Sequence, residues 1–257
     1  MKTYPYPAGK SVVKWVSTNW LEDHINDENL MILDVQPNVH DYIMGHLTGA
    51  IYLNEGLLRS ANNGLPAVFV SPEVLQPVFC QIGLQPERPV VIYSSTGRYS
   101  KCTAGLGDGL EQTMMAYSLI RFGHNNVYIL DGGLEKWKKE GGELTKVFPS
   151  WKASEFETSV RDEYFIDHEE LKNIKDREDV ILFDARPFES YKEGGLWIKK
   201  GHIPGANSFP WRTLMTKDNA RLMKSDEELQ QLISKFNITT DKTLIIYCGT
   251  GREATNE

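Results

Sequence analysis

The chain ends in "IIYCGTGREATNE", where an apolar run delivers Cys248 and then Gly249, Thr250, Gly251, Arg252 and Glu253. Small residues after a strand let successive backbone N–H groups turn inward and form a cradle that favours an anion. The same field, helped by the guanidinium of Arg252, predicts a lowered thiol pKa and a nucleophilic sulfur. Such a loop suits a thiolate, a persulfide or an oxyanion. The plainer alternative is a small apolar residue that finishes a buried strand. Cys-Gly-x-Gly alone does not separate the two.

The elements that must position this loop occur twice. In the first half, the strand "LMILDV" carries Asp34, and "GHLTGAI", an amphipathic stretch and the strand "PVVIYSSTGR" follow. In the second half, "DVILFDAR" carries Asp184, and "GHIPGAN", the amphipathic "SDEELQQLISKF" and "TLIIYCGTGR" follow. Asp34 to Asp184, His46 to His202 and Ser94 to Cys248 are separated by 150, 156 and 154 positions. Three landmarks in one order, in the same strand context, indicate duplication. The strands are continuous apolar runs, as in parallel sheets covered on both faces. "TMMAYSLIRFG" has helical spacing and a glycine stop at Gly123, and "VYILDGGLEKWKKEGG" reads as strand, turn and helix. The alternation predicts two α/β domains, each a parallel sheet with helices on both faces. They are expected at 10–145 and 163–257, with the polar, poorly periodic 146–162 as linker. In such sheets ligands bind at the carboxyl ends of strands, where Cys248 lies.

Composition narrows the class. The 257 residues carry 28 basic and 35 acidic side chains, a formal net charge of −7, which argues against a nucleic-acid binder. No apolar run approaches the roughly 20 residues that span a bilayer, and "MKTYPYPAGK" is not a signal peptide, so a cytoplasmic protein is expected. Cys80, Cys102 and Cys248 are odd in number and lack CxxC spacing, and the six histidines are scattered. Neither a disulfide framework nor a metal site is expected, and no cofactor is implied. Cys80 lies in an amphipathic stretch and is expected in the core. Cys102 lies in a glycine-rich loop, 100–113, expected to be a mobile surface loop; the alternative is that it folds across the domain interface.

"FDARPFESY", "GHIPGAN" and "IIYCGTGR", in this order, resemble the rhodanese family of sulfurtransferases. "DVQP", "GHLTGAI", "VVIYSSTGR" and "VYILDGGLEKW" resemble a second copy, so the resemblance covers nearly the whole chain in the tandem-domain form. It implies that the N-terminal domain lacks the cysteine, with Ser94 in its place. It implies a double displacement. Cys248 attacks the outer sulfur of thiosulfate, sulfite leaves, and a persulfide remains, held by the N–H groups of Gly249 to Arg252. A thiophilic acceptor, cyanide or a thiol, then takes the sulfur. The partners implied are thus small molecules, with no nucleic acid and no membrane; the oligomeric state is left open.

Other residues divide between site and scaffold. Arg186 falls at a strand end, and similar arginines in the family shape the site or hold the anionic substrate; the alternative is an ion pair with Glu189 or Asp184. Lys199 and Lys200 could form a basic rim over the loop or a solvated face. Asp184 and His202 are read as organisers of turn and loop, since sulfite leaves without a general acid. The resemblance leaves two donors. Mercaptopyruvate enzymes tend to read C-G-S/T-G-V with a second arginine after D-x-R. Here Arg252 replaces the apolar residue and "PFESY" supplies no second arginine, which favours thiosulfate. Glu253 is expected to weaken the positive field. A cysteine phosphatase needs Cys-x5-Arg, but position 254 is Ala. A sulfur-carrier or sensing module without turnover is the non-enzyme alternative.

The two copies differ in length after the loop. Domain 1 continues for 44 residues from Arg98 to Gly142, whereas five follow Arg252. The repeat therefore predicts that domain 2 is truncated. It would continue with a helix and an "IY-D/E-G"-like strand, adding about 35–50 residues in all, and as it stands be less stable than domain 1.

Overall fold

The computed structural model describes residues 2–97, 107–193 and 198–257. Cys102 and the 100–106 part of the expected surface loop lie outside the described residues. The chain divides into two compact units, Thr3–Asp162 and Glu163–Glu257.

The first unit runs β1 (Val13–Val16), α1 (Thr18–His24), β2 (Met31–Asp34), α2 (Val39–Met44), β3 (Ala50–Tyr52), β4 (Arg59–Asn62), β5 (Leu65–Phe69), α3 (Pro72–Gln81), β6 (Val90–Tyr93), α4 (Glu111–Arg121), β7 (Val127–Leu130) and α5 (Gly133–Lys139). β1-β7-β6-β2-β3 form a five-stranded parallel sheet, and β4–β5 form a separate antiparallel hairpin. Every residue of β2 and β6 is buried, as continuous apolar runs require. α5 closes one face, with Leu134 and Trp137 packed in a cluster that includes Val16, Leu21, Leu47 and Tyr93.

The second unit runs α6 (His168–Ile174), β8 (Val180–Asp184), α7 (Phe188–Glu193), β9 (Asn207–Ser208), α8 (Asp226–Lys235) and β10 (Thr243–Tyr247). Ser225 and Glu228 close a capping box at the start of α8, which fixes where that helix begins. Among the described residues its sheet is β10-β8-β9, all parallel, matching β6-β2-β3 of the first unit. β6 has neighbours on both sides; β10 has one, and Thr243 and Leu244 on it are exposed. Leu171, Ile203 and Tyr247, the counterparts of Leu21, Leu47 and Tyr93, remain only partly buried.

The stretch expected as a linker has no helix or strand through residue 161, yet it is pinned to the first unit. Phe156 is fully buried and meets Phe79 edge-on, and the Trp151 indole N–H donates to the Gln81 carbonyl at 2.8 Å. Cys80 is half-buried rather than a core residue. Its thiol donates to the Phe156 carbonyl at 3.3 Å, so it faces this strap.

Candidate functional site

The repeat is preserved down to single hydrogen bonds. In the second unit the Tyr247 hydroxyl donates to Asp184 Oδ2 at 2.8 Å and accepts the Ile203 N–H at 3.0 Å. In the first, the Tyr93 hydroxyl donates to Asp34 Oδ2 at 2.5 Å and accepts the Leu47 N–H at 3.0 Å. One tyrosine thus ties the Gly-His turn to the buried aspartate at the neighbouring strand's end.

The histidines belong to the same frame. His202 Nδ1 donates to the Tyr191 carbonyl at 3.0 Å, and the two rings stack at 3.7 Å. His46 Nδ1 donates to the Tyr42 carbonyl at 2.8 Å, with stacking at 4.0 Å. Tyr191 and Tyr42 each donate in turn to an alanine carbonyl, Ala206 and Ala50. Gly205 and Gly49 turn the chain at φ 89° and 76°, where a Cβ is strained. The sequence did not single out Tyr247, Tyr93, Tyr191 or Tyr42, although a tyrosine precedes the landmark Cys248 and Ser94 in both copies.

The copies part at the residue two after the aspartate. In the first unit it is Gln36, which donates to Asp34 through backbone N–H and side-chain amide. In the second it is Arg186, whose Nε and Nη2 grip Asp184 at 2.9 and 2.5 Å and whose Nη2 also donates to the Gly201 carbonyl at 2.9 Å. Arg186 is therefore an ion-pair partner of Asp184, with Glu189 outside the pair, and it still lines the cavity beside Cys248.

β10 delivers Cys248 at its carboxyl end, and the chain turns through Gly251 at φ 90°, as it turns through Gly97 at 70° in the first unit. The Gly251 N–H donates to Cys248 Sγ at 3.0 Å. The expected lowering of the thiol pKa is not found. Burial pushes it above its ordinary value, and the Glu253 carboxylate pushes it further. The N–H groups of Ala254, Thr250 and Gly251 act in the opposite direction. Glu253 is itself raised, first by burial and then by Asp184, while the neighbouring Cys248, Gly249 and Arg186 act in the opposite direction. The N–H groups and Arg252 are visible in the sequence; the desolvation of a half-buried sulfur is not.

A cavity of about 490 Å³ opens on Cys248 and Gly249. Lys199, Lys200, His202 and Arg186 line it, as do Lys172 and Lys175 of α6, which the sequence did not single out. Arg252 and Glu253 are not on its wall. Lys175 and Lys172 pair with Asp176 and Glu169, so the wall's basic character is partly neutralised at that end. Among the described residues no group of three His, Cys, Asp or Glu side chains is placed to hold a metal. No helix among them is long and apolar enough to cross a membrane.

Comparison with known proteins agrees with the frame. The chain is 31% identical over 255 residues to a putative thiosulfate sulfurtransferase of Synechococcus elongatus, covering 96% of this chain and 76% of that protein. It is 28% identical to the sulfur carrier protein TtuD of Thermus thermophilus, covering 91% and 81%. The crystal structure of the Escherichia coli 3-mercaptopyruvate sulfotransferase SseA superposes with a TM-score of 0.79 at 24% identity, covering 94% and 90%, a likeness of fold. The rhodanese-like domain model matches residues 17–140 and again 167–257, once in each unit, and the chain belongs to that family.

Proposed function

We propose that the protein is a sulfurtransferase that carries sulfane sulfur as a persulfide on Cys248. The observation that supports it most is the placement of one half-buried thiol at a strand's carboxyl end, where its sulfur accepts the Gly251 N–H and where the first unit has Ser94. The thiolate attacks the outer sulfur of the donor and the donor's remainder leaves. The persulfide then passes its outer sulfur to cyanide or a thiol. Covalent storage splits one transfer into two easier steps. The loop N–H groups favour the anionic sulfur without reorganising.

Thiosulfate is the proposed donor. Arg186 is held by Asp184 and Gly201, which leaves it poorly placed to clamp a substrate carboxylate. No second arginine follows it, as 3-mercaptopyruvate would require. A second reading, a carrier that loads once without turnover, is favoured by the name of the Thermus relative. Thiocyanate formation separates these readings. Multiple turnovers with thiosulfate and cyanide support the proposal. Turnover with 3-mercaptopyruvate alone reassigns the donor. A single stoichiometric burst makes the protein a carrier.

A further inference from the structure

The second unit keeps the frame of the first and changes its charges. Four lysines line the cavity beside Cys248, two on or just after α6 and two ahead of the Gly-His turn. α1 and α6 are each seven residues long behind a capping side chain, Ser17 or Asp167. Lys172 and Lys175 therefore stand where the first unit has Glu22 and Ile25. Counted back from Gly201 and Gly45, Lys200 and Lys199 stand where it has Met44 and Ile43. With Arg186 in place of Gln36, five positive charges on the cavity wall separate the copy with the thiol from the copy with Ser94. No Asp or Glu among the described residues lines this cavity, in a chain of formal net charge −7. Glu169, Asp176 and Asp184 engage Lys172, Lys175 and Arg186. Lys199 and Lys200 are exposed, with no ion-pair partner among the described residues. Leu171, Ile203 and Tyr247 give the cavity an apolar floor. Its volume of about 490 Å³ is far more than thiosulfate fills and suits a small organic molecule.

We infer that this cavity is the acceptor subsite, and that Lys199 and Lys200 select an organic thiol of about tripeptide size bearing two or more carboxylates. The inference rests on the Cys248 persulfide reading and names the class of its acceptor. The carbon body of the thiol lies on the apolar floor, and its carboxylates stay at the lysine rim, in water. The acceptor's thiolate forms a bond to the outer sulfur of the Cys248 persulfide. The S–S bond to Sγ breaks, and its electron pair stays on Cys248 as the thiolate. The proton of the persulfide leaves with the outer sulfur, so the acceptor departs as a neutral persulfide group and one negative charge passes from acceptor to enzyme. An acceptor that already carries carboxylates approaches this sulfur against the field of an acidic protein. Cations at the mouth reverse that field locally and raise the rate of encounter. Exposed lysines act in this way over about a Debye length, so the effect is screened by salt.

The test uses two cysteine peptides of matching shape, acetyl-Asp-Cys-Asp and the neutral acetyl-Asn-Cys-Asn amide. Cys248 is loaded with thiosulfate, the donor is removed, and the rate at which each peptide discharges the persulfide is followed. At low salt the wild type is expected to favour the acidic peptide by about tenfold or more. In Lys199→Gln/Lys200→Gln, and in the wild type at about 0.5 M salt, the ratio is expected to fall to within about twofold. Lys199→Arg/Lys200→Arg, which keeps both charges, is expected to keep the ratio. A ratio that Lys199→Gln/Lys200→Gln leaves unchanged overturns the inference, and so does a wild-type preference for the neutral peptide. Loss of the ratio in the arginine variant as well overturns it too, because charge is then not what selects. If neither thiosulfate nor 3-mercaptopyruvate loads Cys248, the persulfide reading fails by itself. The subsite is then read by whether acetyl-Asp-Ser-Asp shields the Cys248 thiol from alkylation by iodoacetamide. Shielding that disappears in Lys199→Gln/Lys200→Gln upholds an anion subsite, and no shielding in the wild type overturns it.

Discussion

Cys248 and Ser94 occupy matching positions in two copies of one frame, so each copy serves as a control for the other. The tyrosine–aspartate and histidine–carbonyl bonds recur in the copy that has serine in place of Cys248. We propose that their roles are architectural, so that removing them should loosen the site rather than stop a chemical step. Tyr247→Phe leaves the Ile203 N–H without its acceptor and should destabilise the second unit by about 1–3 kcal/mol. Denaturant unfolding followed in that unit, alongside the rate of Cys248 alkylation, checks this; unchanged stability contradicts the role. Arg252 is proposed to support the anionic donor as a fixed charge. Arg252→Ala should lower kcat/KM for thiosulfate by about tenfold or more, roughly 1.4 kcal/mol. An unchanged value would show that the loop's dipoles suffice alone.

At the scale of elements, the strands and the repeat were legible because buried parallel strands are apolar throughout, and β2, β6, β8 and β10 stand out for that reason. The Cys loop was legible from its glycines. Glu253 was noted in it, but its burial beside Cys248 depends on the turn's three-dimensional path. The tyrosine ties were hidden because a tyrosine in an apolar strand looks like core. The stretch 146–162 reads as a linker because its polar composition conceals Phe156, one aromatic that anchors it. β6 and β10 are equivalent in sequence and unequal in surroundings. Among the described residues β6 is paired on both sides and wholly buried, whereas β10 is paired with β8 alone and exposed at its start. Amides of β10 should exchange hydrogen about tenfold or more faster than those of β6. Equal protection would mean that the second sheet is held as firmly as the first.

Across the whole molecule, two buried groups in the first unit oppose one another in pH. Burial pushes Asp34 up to about 6 from 3.8, the hydrogen bonds from Tyr93 and Gln36 only partly offsetting it. Its folded form therefore takes up a proton before the unfolded chain does, and stability from this group grows as pH falls from about 6 to about 4. Burial brings His124 down to about 4 from 6.5. There the unfolded chain takes up the proton first, and stability is lost as pH falls from about 6.5 to about 4. Each effect is on the order of 3 kcal/mol, so they nearly cancel. His124→Asn should make the unit gain stability on acidification relative to wild type, and Asp34→Asn should make it lose more, read by hydrogen exchange in β6 at several pH values. Identical pH slopes in all three proteins would contradict the assignment. The central claim, that one of three cysteines stores the sulfur, is tested most directly by mass spectrometry of peptides after thiosulfate treatment. The account predicts one added sulfur on the peptide bearing Cys248, its loss in Cys248→Ser, and its retention in Ser94→Ala. Sulfur on the Cys80 or Cys102 peptide, or persistence in Cys248→Ser, would contradict it.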